Sequence, residues 1–295
     1  MSRVFHILGV PLRTGSLMPG SENDAQPYRD AGLLRRLQGA GLQAVDDGDV
    51  AIPSYLPHHT IPPIRSWPGP RIAWEIVRDR IAPLLSQHDH VPLLIGCDCS
   101  VVVGTTQAMM QAAGDDQVHL IYVDGDFDDA APRADKCQSA AALAVWLTTH
   151  GEPFRGGPPL NPSHVHVIGW TNGSDDGADS GGKSSCPLAD LRQTGVAAAA
   201  RRLLEAIPAT ASIVLHFDID VLAQREMPAS YFPHQNGLTL AEAHELFGVI
   251  LQDRRLRIIE LTEYASLRDL DQQHAAALVD LLVRGLGNAS PKPAV

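Results

Sequence analysis

Six short apolar runs, each followed by a stretch of helical composition, constrain the fold more than any other feature of the chain. They lie at 4–10, 91–95, 119–123, 165–170, 213–219 and 258–261, rich in Val, Ile and Leu and bounded by Gly, Asp or Pro. Runs this short and this apolar suit strands buried on both faces. Helices are expected between and after them, over 28–39, 71–88, 105–113, 140–149, 188–206, 240–252 and 272–286. Pro187 fits the start of the helix near Leu188, and Thr239 with Glu242 makes a capping-box pattern before Leu240. Strands alternating with helices lead to a parallel sheet covered on both faces. The expected fold class is α/β, a three-layer α/β/α arrangement around a central, mainly parallel sheet. No repeat or linker divides the chain, so 1–295 is read as one domain with 287–295 as a loose tail.

Composition narrows the partners. With 295 residues, 44% apolar and 19% charged, the chain is globular rather than disordered. Its net charge of -11 comes with no basic cluster beyond Arg254, Arg255 and Arg257, so a nucleic-acid partner is not expected. No apolar run reaches the ~18 residues of a spanning helix, so no membrane partner is expected either. The opening segment reads as a first strand rather than a signal peptide. Four cysteines, Cys97, Cys99, Cys137 and Cys186, are too few for a disulfide framework at this length, and the cytoplasm is the expected compartment.

Three of the apolar runs end in acidic or thiol residues. LLIGCDCS carries Asp98 and Cys99, IYVDGDFDD carries Asp124, Asp126, Asp128 and Asp129, and LHFDIDVL carries Asp218 and Asp220. In extended chain, Asp124, Asp126 and Asp128 share a side, as do His216, Asp218 and Asp220. Any one of these groups is equally a surface turn or a helix cap. All three together, at the ends of buried strands, point to a site. Carboxylates crowded there repel and are costly to bury, and a divalent cation between them removes the penalty. Oxygen donors suit manganese or magnesium, while one thiolate adds a preference for iron, zinc or cobalt.

These segments resemble the three metal-binding motifs of the arginase/agmatinase (ureohydrolase) superfamily, GGDHS, DAHxD and SxDxDxxDP. Here they read GCDCS (96–100), DGDFD (124–128) and HFDIDVL (216–222). The stretch at 9–37 is similar to the arginase opening, and IIELTEY, with Glu260 and Glu263, is similar to its later acidic strand. The resemblance implies an arginase-like fold and two divalent ions, expected to be Mn2+. It places the first ion on Cys99, Asp124, Asp128 and Asp218, and the second on Asp126, Asp124, Asp218 and Asp220. A water activated between the ions is the implied nucleophile, Asp128 accepts its hydrogen bond, and Glu263 orients the substrate guanidinium. The family also implies a homo-oligomer, a trimer or hexamer.

Departures from the family carry information. Cys99 and Asp126 stand where the motifs have histidines. The loop that in arginases contacts the amino-acid end of arginine and supplies a shuttle histidine falls on Cys137 to Ala141, leaving Ala141 at the shuttle position. His216 and His234 are the candidate replacements, and His216 is taken as the third catalytic residue. IGWTN ends in Asn172 where arginases present an Asp to the substrate's α-amino group, and Ala223 and Gln224 replace the usual Asp-Pro. Cys97 is read as a small buried hydrophobe.

A site that keeps the guanidinium contact but loses the amino-acid contacts disfavours free arginine. The expected reaction is hydrolysis of an arginine side chain within a peptide to ornithine and urea. The small, Gly-rich loops at 153–162 and 172–185 are expected to leave the mouth open. Alternatives are a hydrolase of a small guanidino compound, such as N-hydroxyarginine or a guanidino acid, and a catalytically silent metal-binding relative.

Overall fold

A computed structural model describes the chain except for residues 1–2, 17, 19, 21, 54–55, 172–180 and 288–295. The expected tail and Asn172 therefore lie largely or wholly outside the described residues. Ten strands occur in it: β1 (Val4–Leu12), β2 (Gln43–Asp49), β3 (His58–His59), β4 (Trp67–Pro68), β5 (His90–Cys97), β6 (Val118–Val123), β7 (Val165–Ile168), β8 (Ser184–Cys186), β9 (Ser212–Asp218) and β10 (Leu256–Thr262). The helices are α1 (Gln26–Asp30), α2 (Leu33–Gly39), α3 (Gly69–Leu85), α4 (Val101–Ala113), α5 (Ala144–Thr149), α6 (Leu188–Thr194), α7 (Val196–Ala206), α8 (Leu240–Ile250) and α9 (Gln273–Leu286).

Apart from the small antiparallel pair β3–β4, the described strands form one eight-stranded sheet in the order β2-β1-β5-β10-β9-β6-β7-β8. Every pairing within it is parallel. The reason is visible along single strands. Ile7, Leu93, Ile121, Leu215 and Ile259 face a core shared with α1, α2 and α6 to α9, whereas Leu8, Leu94, Leu120, Val214 and Ile258 face α3, α4 and α5. Both faces are apolar because both are covered by helices. The chain is thus the expected three-layer α/β/α fold.

Several boundaries differ from those read in the sequence. β2 (QAVDDGD) pairs only with β1, and its polar edge carries little strand signal. β8 begins at the end of the segment read as a polar loop, runs one residue past it and extends the opposite edge. The helix expected over 188–206 is two helices, separated at Gly195 with φ 85°, a conformation that favours glycine. Helix α4 begins at Val101, four residues before its expected start, because the apolar run Val101 to Val103 is wholly buried as a first helical turn. The capping box at Thr239 and Glu242 forms as read.

Helices α3 and α4 meet at Gly104, where an added Cβ would lie 2.4 Å from the Trp74 carbonyl oxygen. Gly248 in α8 has nothing within 4 Å of the same position. Gly104→Ala is expected to lower stability by about 1–3 kcal/mol through overpacking. Gly248→Ala is expected to raise it by about 0.5–1 kcal/mol. Denaturant unfolding of the two variants checks both signs.

Candidate metal centre

Four adjacent central strands, β5, β10, β9 and β6, deliver the site residues from their C-terminal ends. After β5, Asp98 turns away from the site. It accepts from Gly15 N at 3.1 Å and Ser100 N at 3.0 Å, and the Ser100 hydroxyl in turn accepts from Trp74 Nε1 at 2.9 Å. Burial outweighs these bonds and pushes the Asp98 carboxyl up to about 6. Its neighbour Cys99 points inward, with Sγ 2.6 Å from Asp218 Oδ2 and 3.3 Å from Thr262 Oγ1.

Beyond β6, Asp124 accepts the Asp126 amide on Oδ1 at 2.7 Å, while its buried Oδ2 has no hydrogen-bond partner. Asp128 is held by the Tyr122 hydroxyl, which donates to Oδ2 at 2.7 Å. Its backbone carbonyl accepts from Val145 and Trp146 at the start of α5. At the end of β9, Asp218 Oδ1 accepts the Asp220 amide at 2.7 Å, and Asp220 Oδ1 accepts the Gly125 amide at 3.1 Å. Glu263, just past β10, receives the Cys99 amide at 3.2 Å and the Ser16 hydroxyl at 3.3 Å.

Asp128 and Glu263 both hold positive φ, 49° and 58°. Among the described residues only Ser66 and Gln272 join them in this region without being glycine. Such backbone is strained and persists where the surroundings enforce it, often at functional sites.

Cys99, Asp124, Asp126, Asp128, Asp218, Asp220 and Glu263 line one cavity with ≈ 540 Å³ of empty space, part of it open to solvent. Ser139, Ala141, Ala142 and Phe232 complete its wall. Burial first, then repulsion from the neighbouring acids, raises Asp124, Asp218 and the Cys99 thiol well above their ordinary values. Burial likewise raises Asp128, against the Tyr122 hydrogen bond, and Glu263, with Asp98 adding to it. As bare anions these groups are therefore ill placed, and a divalent cation corrects the imbalance. Ligand atoms of Asp124, Asp218 and Asp220 lie within 4.8 Å of one another, as do those of Cys99, Asp124 and His216, and those of Asp126, Asp220 and His234. The donor set and the orphaned Asp124 Oδ2 fit metal binding.

The structure brings the six expected ligands together, but not every other expectation. His216 does not line the cavity. It is wholly buried on β9, with Nδ1 2.7 Å from Glu260 Oε2, Nε2 3.3 Å from Thr262 Oγ1, and its ring stacked on Tyr122 at 4.3 Å. A ring enclosed in this way cannot carry a proton between solvent and a leaving amine, so the shuttle role does not suit it. Asp129 is also turned away, paired with Lys183 Nζ at 2.9 Å. Ala141 does lie at the cavity wall. His234 reaches the site, its Nε2 3.3 Å from Asp126 Oδ2 and 3.6 Å from Asp220 Oδ2. Burial opposes its charge, but bonds to these two acids win and hold it up at about 10. Cys97 packs as a buried side chain, at the end of a strand that runs two residues past its expected end at Ile95. Tyr122, Thr262, Ser16 and Phe232 had no sequence signal, since each acts through a partner brought near only by folding.

Strand-end carboxylates that share a cavity with a thiol define a metal-dependent hydrolase site on a three-layer α/β/α fold. The profile of the Arginase family matches residues 3–287, and the chain belongs to that family. It is 24% identical to the arginase of Brucella melitensis over 296 residues, 96% of each chain. The solved arginase of Bacillus caldovelox superposes with a TM-score of 0.85 at 21% identity, covering 99% of this chain and 100% of that one. The Trypanosoma cruzi formiminoglutamase, solved with Mn2+, superposes with a TM-score of 0.73 at 20% identity, covering 98% and 94%. The protein is a ureohydrolase of this family. Among the described residues no helix is long and apolar enough to cross a membrane.

Carboxyls raised by burial hold protons in the folded metal-free protein at pH values where the unfolded chain has lost them. Metal must displace those protons, so its stabilising effect grows with pH. Mn2+ at a hundredfold excess over its Kd is expected to raise Tm by roughly 5 °C near pH 8. The shift should shrink steadily toward pH 5, as a thermal-shift series over pH checks.

Proposed function

We propose that the protein hydrolyses the guanidino group of an arginine side chain within a peptide, releasing urea and leaving ornithine. The observation that carries this reading is the cavity wall beside the carboxylates. Among the described residues of that wall, Ser139, Ala141, Ala142 and Phe232 offer no charged partner for the α-ammonium and α-carboxylate of a free amino acid. A peptide backbone has neither charge, so it enters without stranding one.

Cys99, Asp124, Asp128 and Asp218 would hold one ion, and Asp124, Asp126, Asp218 and Asp220 the other, with Mn2+ the leading candidate from the T. cruzi relative. When bound, the ions supply Lewis acidity that makes a water nucleophilic near neutral pH. Glu263 accepts from the guanidinium, its two oxygens already steadied by Cys99 N and Ser16 Oγ. Asp128, fixed by Tyr122, takes a proton from the attacking water and is placed to hand it to the departing amine. The carbon gains an oxygen, the bond to the side-chain nitrogen breaks, and urea leaves.

The test compares urea release from an internal-arginine peptide and from free arginine. A higher kcat/KM for the peptide supports the reading, and faster turnover of free arginine overturns it. Asp128→Asn is expected to lower kcat by about 10²–10⁴-fold. Glu263→Gln is expected to act mainly on KM, by roughly ten- to a hundredfold, because a charge-assisted bond to the substrate is lost.

A further inference from the structure

We infer that His234 is a ligand of the second metal position, supplying from outside the motif the imidazole whose place Asp126 has taken. The inference rests on the two-ion reading above and concerns which residues of this chain complete it.

Three observations converge. First, His234 Nε2 stands 3.3 Å from Asp126 Oδ2 and 3.6 Å from Asp220 Oδ2, and the three ligand atoms form a group compact enough for one ion. Second, Gly125 makes room for the ring. A Cβ there would fall 2.3 Å from His234 Cδ2 and 2.8 Å from Nε2. Gly125 does not hold a positive φ, so its backbone does not require glycine, and the space is what an alanine would take away. The related motif DAHxD carries Ala at this position and His at the next, whereas this chain has Gly125 and Asp126. Third, the segment bearing His234 is fixed to the metal-bearing strand end. Gln224 N donates to His234 O at 2.7 Å, Ala223 N to Leu238 O at 2.9 Å, and Leu238 N to Val221 O at 2.7 Å. Phe232 packs edge-on against the imidazole at 5.5 Å. Ala223 and Gln224, which stand where the motif has Asp-Pro, are thus the residues that dock the new ligand.

The chemistry favours the exchange. Asp126 in place of histidine leaves four carboxylates around one divalent ion, more negative charge than the ion carries. On binding the ion His234 releases its extra proton, and the neutral imidazole then adds a donor without adding charge and restores a mixed nitrogen and oxygen set. Loss of outer-sphere partners alone weakens metal binding roughly 10–100-fold, and removal of a direct ligand should do at least as much.

The experiment strips the protein with a chelator and titrates Mn2+ calorimetrically, with bound metal counted after gel filtration. Wild type is expected to take two ions per chain. His234→Ala should retain one, with the Kd for the second raised tenfold or more. Gly125→Ala should weaken the same ion although residue 125 offers no ligand atom. The triple variant Gly125→Ala, Asp126→His, His234→Ala should regain it. Co2+ X-ray absorption should lose one imidazole in His234→Ala. Two ions bound by His234→Ala with unchanged affinity would overturn the assignment while sparing the two-ion reading. Fewer than two ions in wild type would overturn both. If His234→Ala fails to fold, Gly125→Ala, which keeps His234, decides the matter: two ions bound with unchanged affinity would overturn the assignment.

Discussion

Mutual repulsion among acids packed at the ends of three neighbouring strands, β10, β9 and β6, is the constraint around which this molecule is arranged. A parallel sheet brings its strand ends to one edge, and here that edge concentrates Asp124, Asp126, Asp128, Asp218, Asp220 and Glu263. Covering both faces with helices keeps water from the strands and makes the repulsion stronger. Local bonds soften it only in part. Amides of Asp126, Asp220, Gly125 and Cys99 each donate to a carboxylate, yet Asp124 Oδ2 still goes without. A cation is the remaining remedy, and the fold already gathers its donors, with Cys99 Sγ 2.6 Å from Asp218 Oδ2.

The layer beneath the cavity serves the same end. Tyr122, His216 and Glu260 lie side by side in register across β6, β9 and β10. Tyr122 fixes Asp128 from below, and Glu260 fixes the orientation of His216, whose other nitrogen faces Thr262. This buried polar row converts strand register into side-chain position, so a slip of one residue in any of the three strands would scatter the site.

The buried strands were legible in the sequence because each is a short apolar block, and the three acidic strand ends were legible because charge at that place is unusual. Edge strands β2 and β8 carry no such signal, being polar and each paired on one side only. The break at Gly195 was hidden by a composition that is helical on both sides of it. His216 shares its period-two spacing with Asp218 and Asp220, but spacing does not tell whether a ring faces a cavity or the layer below it. The sequence offers His234 only as a candidate proton shuttle, with nothing to mark it as a metal ligand. Its meaning depends on Gly125, a missing methyl group far away along the chain, and no local pattern connects the two.

The strained backbone at Asp128 and Glu263 bears on how this protein responds to selection. Glycine at either position would relax the left-handed backbone and remove a buried acid, but it would also strand the Tyr122 hydroxyl or the Cys99 amide that bonds to that acid. Heat resistance therefore pulls both ways on these two side chains. A requirement for turnover, or for metal retention, pulls only toward keeping them.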